Sequence, residues 1–222
     1  MKDYYEHEFR YDDIETSENK VYFSLFDTVE LPEGETILDI GCGNGASSIP
    51  LINSRSRYIG ADFAFNPLSY AKQHFPQELW VNCSGEALPF SDGLFDKIFF
   101  MGSLEHFPNI SKGISEAIRC LKGNGTIYIL VPNKYFPPFL LTGGTTQPQE
   151  LLLSLANWKK LLAKNGLTTV SVGYDRGRNF STRSVREFLR WFLIKLFNYF
   201  PLSLRYQFFF ECKVDARKLS TS

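Results

Sequence analysis

From Glu35 to Lys213 short apolar runs alternate with segments that read as helices, and few folds accept that pattern. A strand covered on both faces is a near-continuous apolar run, and a helix between two such strands makes them parallel. The predicted strands are Thr36–Asp39, Tyr58–Asp62, Leu79–Cys83, Phe95–Met101, Thr126–Pro132, Thr168–Tyr174 and Tyr206–Lys213. Helix ends are readable between them. Asn66-Pro67 opens a helix to about His74, and Ser111 caps one to Leu121, after which "KGNG" turns into the next strand. Pro148 opens a helix with the apolar stripe Leu151, Leu155, Trp158 and Leu162, stopped by Gly166. Ser184 and Glu187 form a capping box, which predicts a helix over 184–200 that is apolar nearly all round. The expectation is an α/β domain over 35–222, a helical lid segment at 1–34 and a helical insertion at about 175–205. "NKYFPPFLLTGGTTQ", Asn133 to Gln147, leaves the carboxyl end of a strand and is a candidate pocket wall.

Bulk composition removes several function classes. Lys and Arg number 24 and so do Asp and Glu, so no global field favours nucleic acid. The four cysteines form no CxxC pair and sit in apolar surroundings, which suits reduced thiols in a cytoplasmic protein. The three histidines lack ligand spacing, so no metal is expected. The polar, acidic start "MKDYYEHEFRYDD" is neither a signal nor a transit peptide, and no apolar run reaches the ~18 residues of a membrane span.

The first strand runs into "GCGNGA", which satisfies the dinucleotide pattern G-x-G-x-x-A, and Asp62 follows where a ribose-binding acid belongs. Those residues alone do not separate NAD from other adenosine cofactors. Gly45 adds a further glycine where a pyrophosphate loop tolerates any residue. Asp39 sets a carboxylate just ahead of the loop, where it repels phosphate and attracts a cation. The third departure is "CSGEALPFSDGLFDKIFFMGSLEHF", Cys83 to Phe107.

Taken together, "ILDIGCGNG", "YIGADFA", "GEALPFSDGLFDKIFF" and "IRCLKGNGTIYILVPN" resemble the class I S-adenosylmethionine-dependent methyltransferases, in their UbiE-like, type 11 branch. The resemblance is close over Glu35 to Pro132 and looser beyond. It implies a Rossmann-like three-layer sandwich with a seven-stranded, mostly parallel sheet whose last strand inserts antiparallel beside the fifth. It also implies jobs for residues. Gly41, Cys42, Gly43 and Gly45 would approach the methionine part and ribose of S-adenosyl-L-methionine, with Asp39 near its ammonium. Asp62 would accept the ribose hydroxyls and Phe63 would pack on the adenine. Ser84, Gly85 and Glu86 would line the adenine edge, Ser84 standing where the family usually has an acid. Met101 and Gly102 would lie beside the sulfonium.

Methyl transfer from a sulfonium is an in-line displacement, so positioning and desolvation carry much of it. A base is needed only for an acceptor that must lose a proton, and His106 in "SLEHF", beside Glu105, is the candidate. Some RNA methyltransferases place such a Glu-His pair on a metal with further histidines; no suitable second histidine follows here. Tyr11, Tyr135 and Phe136 are the candidate acceptor contacts, together with Tyr4 and Tyr5 and the 184–200 helix. Their aromatic, apolar character suits an uncharged small-molecule or lipid-like acceptor. The 184–200 helix has three readings, a lid, a homodimer interface and a membrane-surface contact. The other reading of the whole chain is a non-catalytic cofactor-binding or scaffold protein, for which Ser84 is the motive.

Overall fold

The structure, a computed structural model, describes residues 2–8, 23–137, 139, 149–174, 192–193 and 195–215. Tyr11, the Ser184/Glu187 capping box and most of the 175–205 insertion lie outside these residues, as do Pro148 and the centre of the Asn133–Gln147 wall.

The seven strands are β1 (Thr36–Ile40), β2 (Arg57–Asp62), β3 (Leu79–Asn82), β4 (Phe95–Met101), β5 (Leu121–Pro132), β6 (Leu167–Tyr174) and β7 (Gln207–Val214). They form one sheet in the order β3-β2-β1-β4-β5-β7-β6. The pairs from β3 to β5 are parallel, and β7 runs antiparallel between β5 and β6, as the family resemblance implies. The "KGNG" stretch is counted within β5, yet it loops out where Leu121 pairs with Phe95 and Thr126 with Lys97.

Successive strand residues feed opposite faces, which makes three layers. Leu38, Ile40, Ile98, Phe100, Ile127, Ile129, Phe208 and Phe210 face one side, where Ile114 and Trp158 from two helices meet them. Ile37, Phe99, Tyr128, Leu130 and Phe209 face the other, under Leu25 and Phe26. Phe99, Tyr128 and Phe209 stack in a row across three strands, with ring centroids 4.8 and 5.7 Å apart.

Three helix starts differ from expectation. The first helix is Phe65–His74 with Ala64 as its cap residue, not Asn66. Its free N–H groups are met from a distance: the Glu6 carboxylate accepts from Phe65 N and Asn66 N at 2.7 and 2.8 Å. Asn109, not Ser111, caps Ile110–Cys120 by accepting from Lys112 N. The third helix is Leu155–Lys164, capped by Ser154, so Leu151 precedes it; Gly166 does end it, at φ 88°. Asn109 and Ser154 are local caps a few residues from the predicted starts, whereas the N–H groups of Phe65 and Asn66 donate to a carboxylate far away in sequence, which local pattern does not show.

Candidate functional site

Strand order reverses between β1 and β4, and in an open α/β sheet the crevice for a ligand lies at that switch, beyond the carboxyl ends of the strands. The segments arriving there are the 41–45 loop from β1, Asp62–Ala64 from β2, 83–86 from β3 and Gly102–His106 from β4.

Gly41, Gly43 and Gly45 all take left-handed backbone, at φ 74°, 55° and 78°. Gly41 is also forced by packing. A Cβ there would stand 2.4 Å from Ser103 Cβ, because Ser103 Oγ donates to Ile40 O and clamps the end of β1 to the start of the turn after β4. The loop spends its donors internally. Gly41 N and Cys42 N donate to Ala61 O, Gly43 N to Asp62 Oδ2 at 2.8 Å, Gly45 N to Cys42 O and Ala46 N to Asn44 Oδ1. A phosphate-binding loop instead points such N–H groups outward at the anion.

Two carboxylates lie under and beside this loop. Asp39 is fully buried, and its Oδ2 accepts from Ser48 Oγ and from Tyr58 Oη. Its Oδ1 is buried without a hydrogen-bond partner among the described residues. Burial pushes the Asp39 carboxyl up to about 6, against the pull of those two hydroxyls. Asp62 is 6% exposed and holds Gly43 N and Ala64 N, one on each oxygen, so each oxygen keeps a lone pair. Burial raises its pKa and the backbone N–H groups oppose the rise. Two buried acids at a loop with few outward donors make a poor seat for a pyrophosphate and a suitable one for a cationic ligand with hydroxyl groups.

The remaining predicted residues divide. Phe63 is half-buried, with its ring edge-on to Tyr5 at 5.8 Å. Gly102 has φ 73° at the exit of β4, and Met101 before it is buried in the sheet core. Cys42 is buried, with its thiol against Gly60. Ser84 is exposed, and its Oγ accepts from Glu86 N, while the Glu86 carboxylate accepts from Asn109 N at 2.7 Å. Both side chains thus hold their own turn in place. Gly85 allows Phe107 and Ile40 to pack where its Cβ would be. Tyr135 is 48% exposed, whereas Phe136 is 2% exposed among Phe139, Phe197 and Tyr206.

Beyond Gly102 the 3-10 turn Leu104–His106 buries Glu105 and His106, with Glu105 Oε1 4.0 Å from His106 Nε2. Burial pushes the Glu105 carboxyl up to about 8, and Glu150 adds to the rise. Tyr5 covers this turn, its ring 5.7 Å from that of His106. Sequence reasoning placed Tyr5 among pocket aromatics but gave no role to Glu6 or Glu150. Neither has a motif; Glu6 reaches the site through the Phe65–His74 helix start, and Glu150 through a bond from Leu151 N to Glu105 O at 2.9 Å.

Comparison with known proteins agrees with the geometry. Residues 38–129 match the methyltransferase domain family. The chain is 34% identical over 110 residues to the 2-phytyl-1,4-naphtoquinone methyltransferase of Thermosynechococcus vestitus, across 47% of this chain and 49% of that protein. It is 26% identical over 187 residues to the ubiquinone biosynthesis O-methyltransferase of Dechloromonas aromatica, across 69% of this chain and 79% of that one. For most of the curated relatives it matches, the aligned stretch spans about half their length. An S-adenosylmethionine-dependent methyltransferase of Aquifex aeolicus superposes with a TM-score of 0.62 at 17% identity, over 85% of this chain and 87% of that one, which shows a common fold. Residues 38–129 therefore resemble the methyltransferase domain family, and the chain shares the fold of the solved methyltransferase it superposes on.

Proposed function

We propose that the protein transfers a methyl group from S-adenosyl-L-methionine to a small, partly apolar acceptor. The observation that carries this reading is the glycine loop whose N–H groups are consumed within the protein beside buried Asp39 and Asp62. Asp62 receives the ribose hydroxyls on its remaining lone pairs, and Phe63 with Tyr5 offers aromatic surface to the adenine. Asp39, buried beneath the loop, favours the positive end of the methionine part through its charge from below. Ser84 and Glu86 act through the turn they shape rather than by side-chain contact. The cofactor supplies an electrophilic methyl group when bound.

The protein's part is to align the acceptor behind that methyl and keep water away. Tyr5 packs against Phe63 and His106 at the switch point, and the exposed Tyr135 follows the carboxyl end of β5. Tyr11, outside the described residues, belongs to the same proposed rim. His106 is the group placed to take the proton an acceptor hydroxyl or activated carbon releases. The names of the two curated relatives concern quinones, and a quinone precursor fits this aromatic rim; the exposed Phe192, Leu196 and Tyr199 of the 192–200 segment suit an acceptor carried in a membrane surface. Among the described residues no helix is long and apolar enough to cross a membrane.

Calorimetric titration tests the donor. S-adenosylhomocysteine is expected to bind at one site per chain while NADH gives no heat. Heat from NADH and none from S-adenosylhomocysteine overturns the reading.

A further inference from the structure

The turn after β4 gathers side chains that donor binding does not employ. Glu105 and His106 are 3% and 7% exposed on one 3-10 turn, and Glu150 joins them from a segment more than forty residues away in sequence. One ligand atom from each lies within 4.8 Å of the others. The juxtaposition is built by the backbone: Leu151 N donates to Glu105 O, and Gln149 takes φ 55°, the left-handed backbone rarely adopted outside glycine, in the residue before Glu150.

A second observation concerns Glu105 alone. Its Oε2 is buried with no hydrogen-bond partner among the described residues, and no described Lys or Arg forms an ion pair with it. A carboxyl buried without a cation keeps its proton, and a metal ion can take that proton's place, since buried charges in proteins are paired or coordinate metals. We infer that Glu105, His106 and Glu150 form a binding site for a single divalent metal ion of the first transition row. One imidazole nitrogen with two carboxylate oxygens suits Mn2+, Fe2+, Co2+ or Zn2+ better than Mg2+, which prefers an all-oxygen octahedron rich in water. Three protein ligands leave positions open for water or for an oxygen of the acceptor, which the ion would make more acidic. With an ion bound the His106 imidazole is a ligand and the acceptor's proton leaves to solvent, so the proton-accepting role of His106 holds only for the metal-free protein.

The site can be tested without knowing the acceptor. Full-length protein is titrated with Mn2+ and the free-ion paramagnetic resonance signal is followed, with Zn2+ competition on the same sample. One Mn2+ per chain is expected, displaced by Zn2+. His106→Gln and Glu150→Gln are each expected to weaken Mn2+ binding by at least about 10-fold, the scale on which even outer-shell partners of metal sites act. Glu150 is only half-buried, so its variant retains the fold if the buried Glu105 does not tolerate change. An undiminished free Mn2+ signal at millimolar metal, or equal binding by parent and Glu150→Gln, overturns the inference. S-adenosylhomocysteine is titrated in parallel: its binding without metal binding removes the metal site alone, and metal binding without it removes only the donor reading.

Discussion

Replacing Asp62 with alanine is expected to weaken S-adenosylhomocysteine binding by roughly 100-fold. In the proposed cradle the carboxylate accepts two charge-assisted hydrogen bonds from the ribose, each worth about 1.5–3 kcal/mol, and part of that loss is regained by water in the enlarged site. The same carboxylate fixes Gly43 N and Ala64 N, so the substitution also frees the loop that must be in place before the ligand arrives. Asp62→Asn keeps one oxygen acceptor and is expected to lose less. Both effects are read as a Kd by calorimetry, with the melting temperature of the unliganded variants as a check on folding. A Kd for Asp62→Ala equal to that of the parent removes Asp62 from the binding site.

The second large effect is structural. Gly41→Ala is expected to cost about 2–5 kcal/mol, because it places a Cβ in left-handed backbone and drives it into the buried Ser103 side chain. For a chain of this size that is a fall of roughly 5–15 °C in Tm. Gly34→Ala is the control. Gly34 has φ 85°, but a Cβ there meets nothing within 4 Å, so its penalty is the backbone strain alone. Equal Tm losses in the two variants would show that the Ser103 contact has no part in the cost.

Much of this architecture was legible from residue order. β4 begins at Phe95 and ends at Met101 as predicted, because "FDKIFF" is an apolar run bounded by Asp92-Gly93 and Gly102-Ser103. Buried parallel strands carry their identity in composition, and their partners are limited by the crossover rule, so the order around β1 follows. The helix starts were less legible, since the carboxylate at Phe65–His74 comes from Glu6, nearly sixty positions earlier. The candidate site was legible to the same extent. Asp62 and the glycines stand where the motif puts them, for strand-to-helix turns fix their own backbone. Phe136 was read as a pocket aromatic from its place after the carboxyl end of a strand and its aromatic neighbours, and the fold packs it against three other rings. Glu150 was invisible because a tertiary contact, the Leu151 N–Glu105 O bond, brings it near His106.

The donor cradle is tested most directly by a crystal structure of the protein with S-adenosylhomocysteine bound. The expected result has both ribose hydroxyls within hydrogen-bond distance of the Asp62 carboxylate, the adenine against Phe63, and Gly43 N still held by Asp62. A ligand bound away from Asp62, or a loop that has released its internal bonds to turn its N–H groups outward, would contradict it.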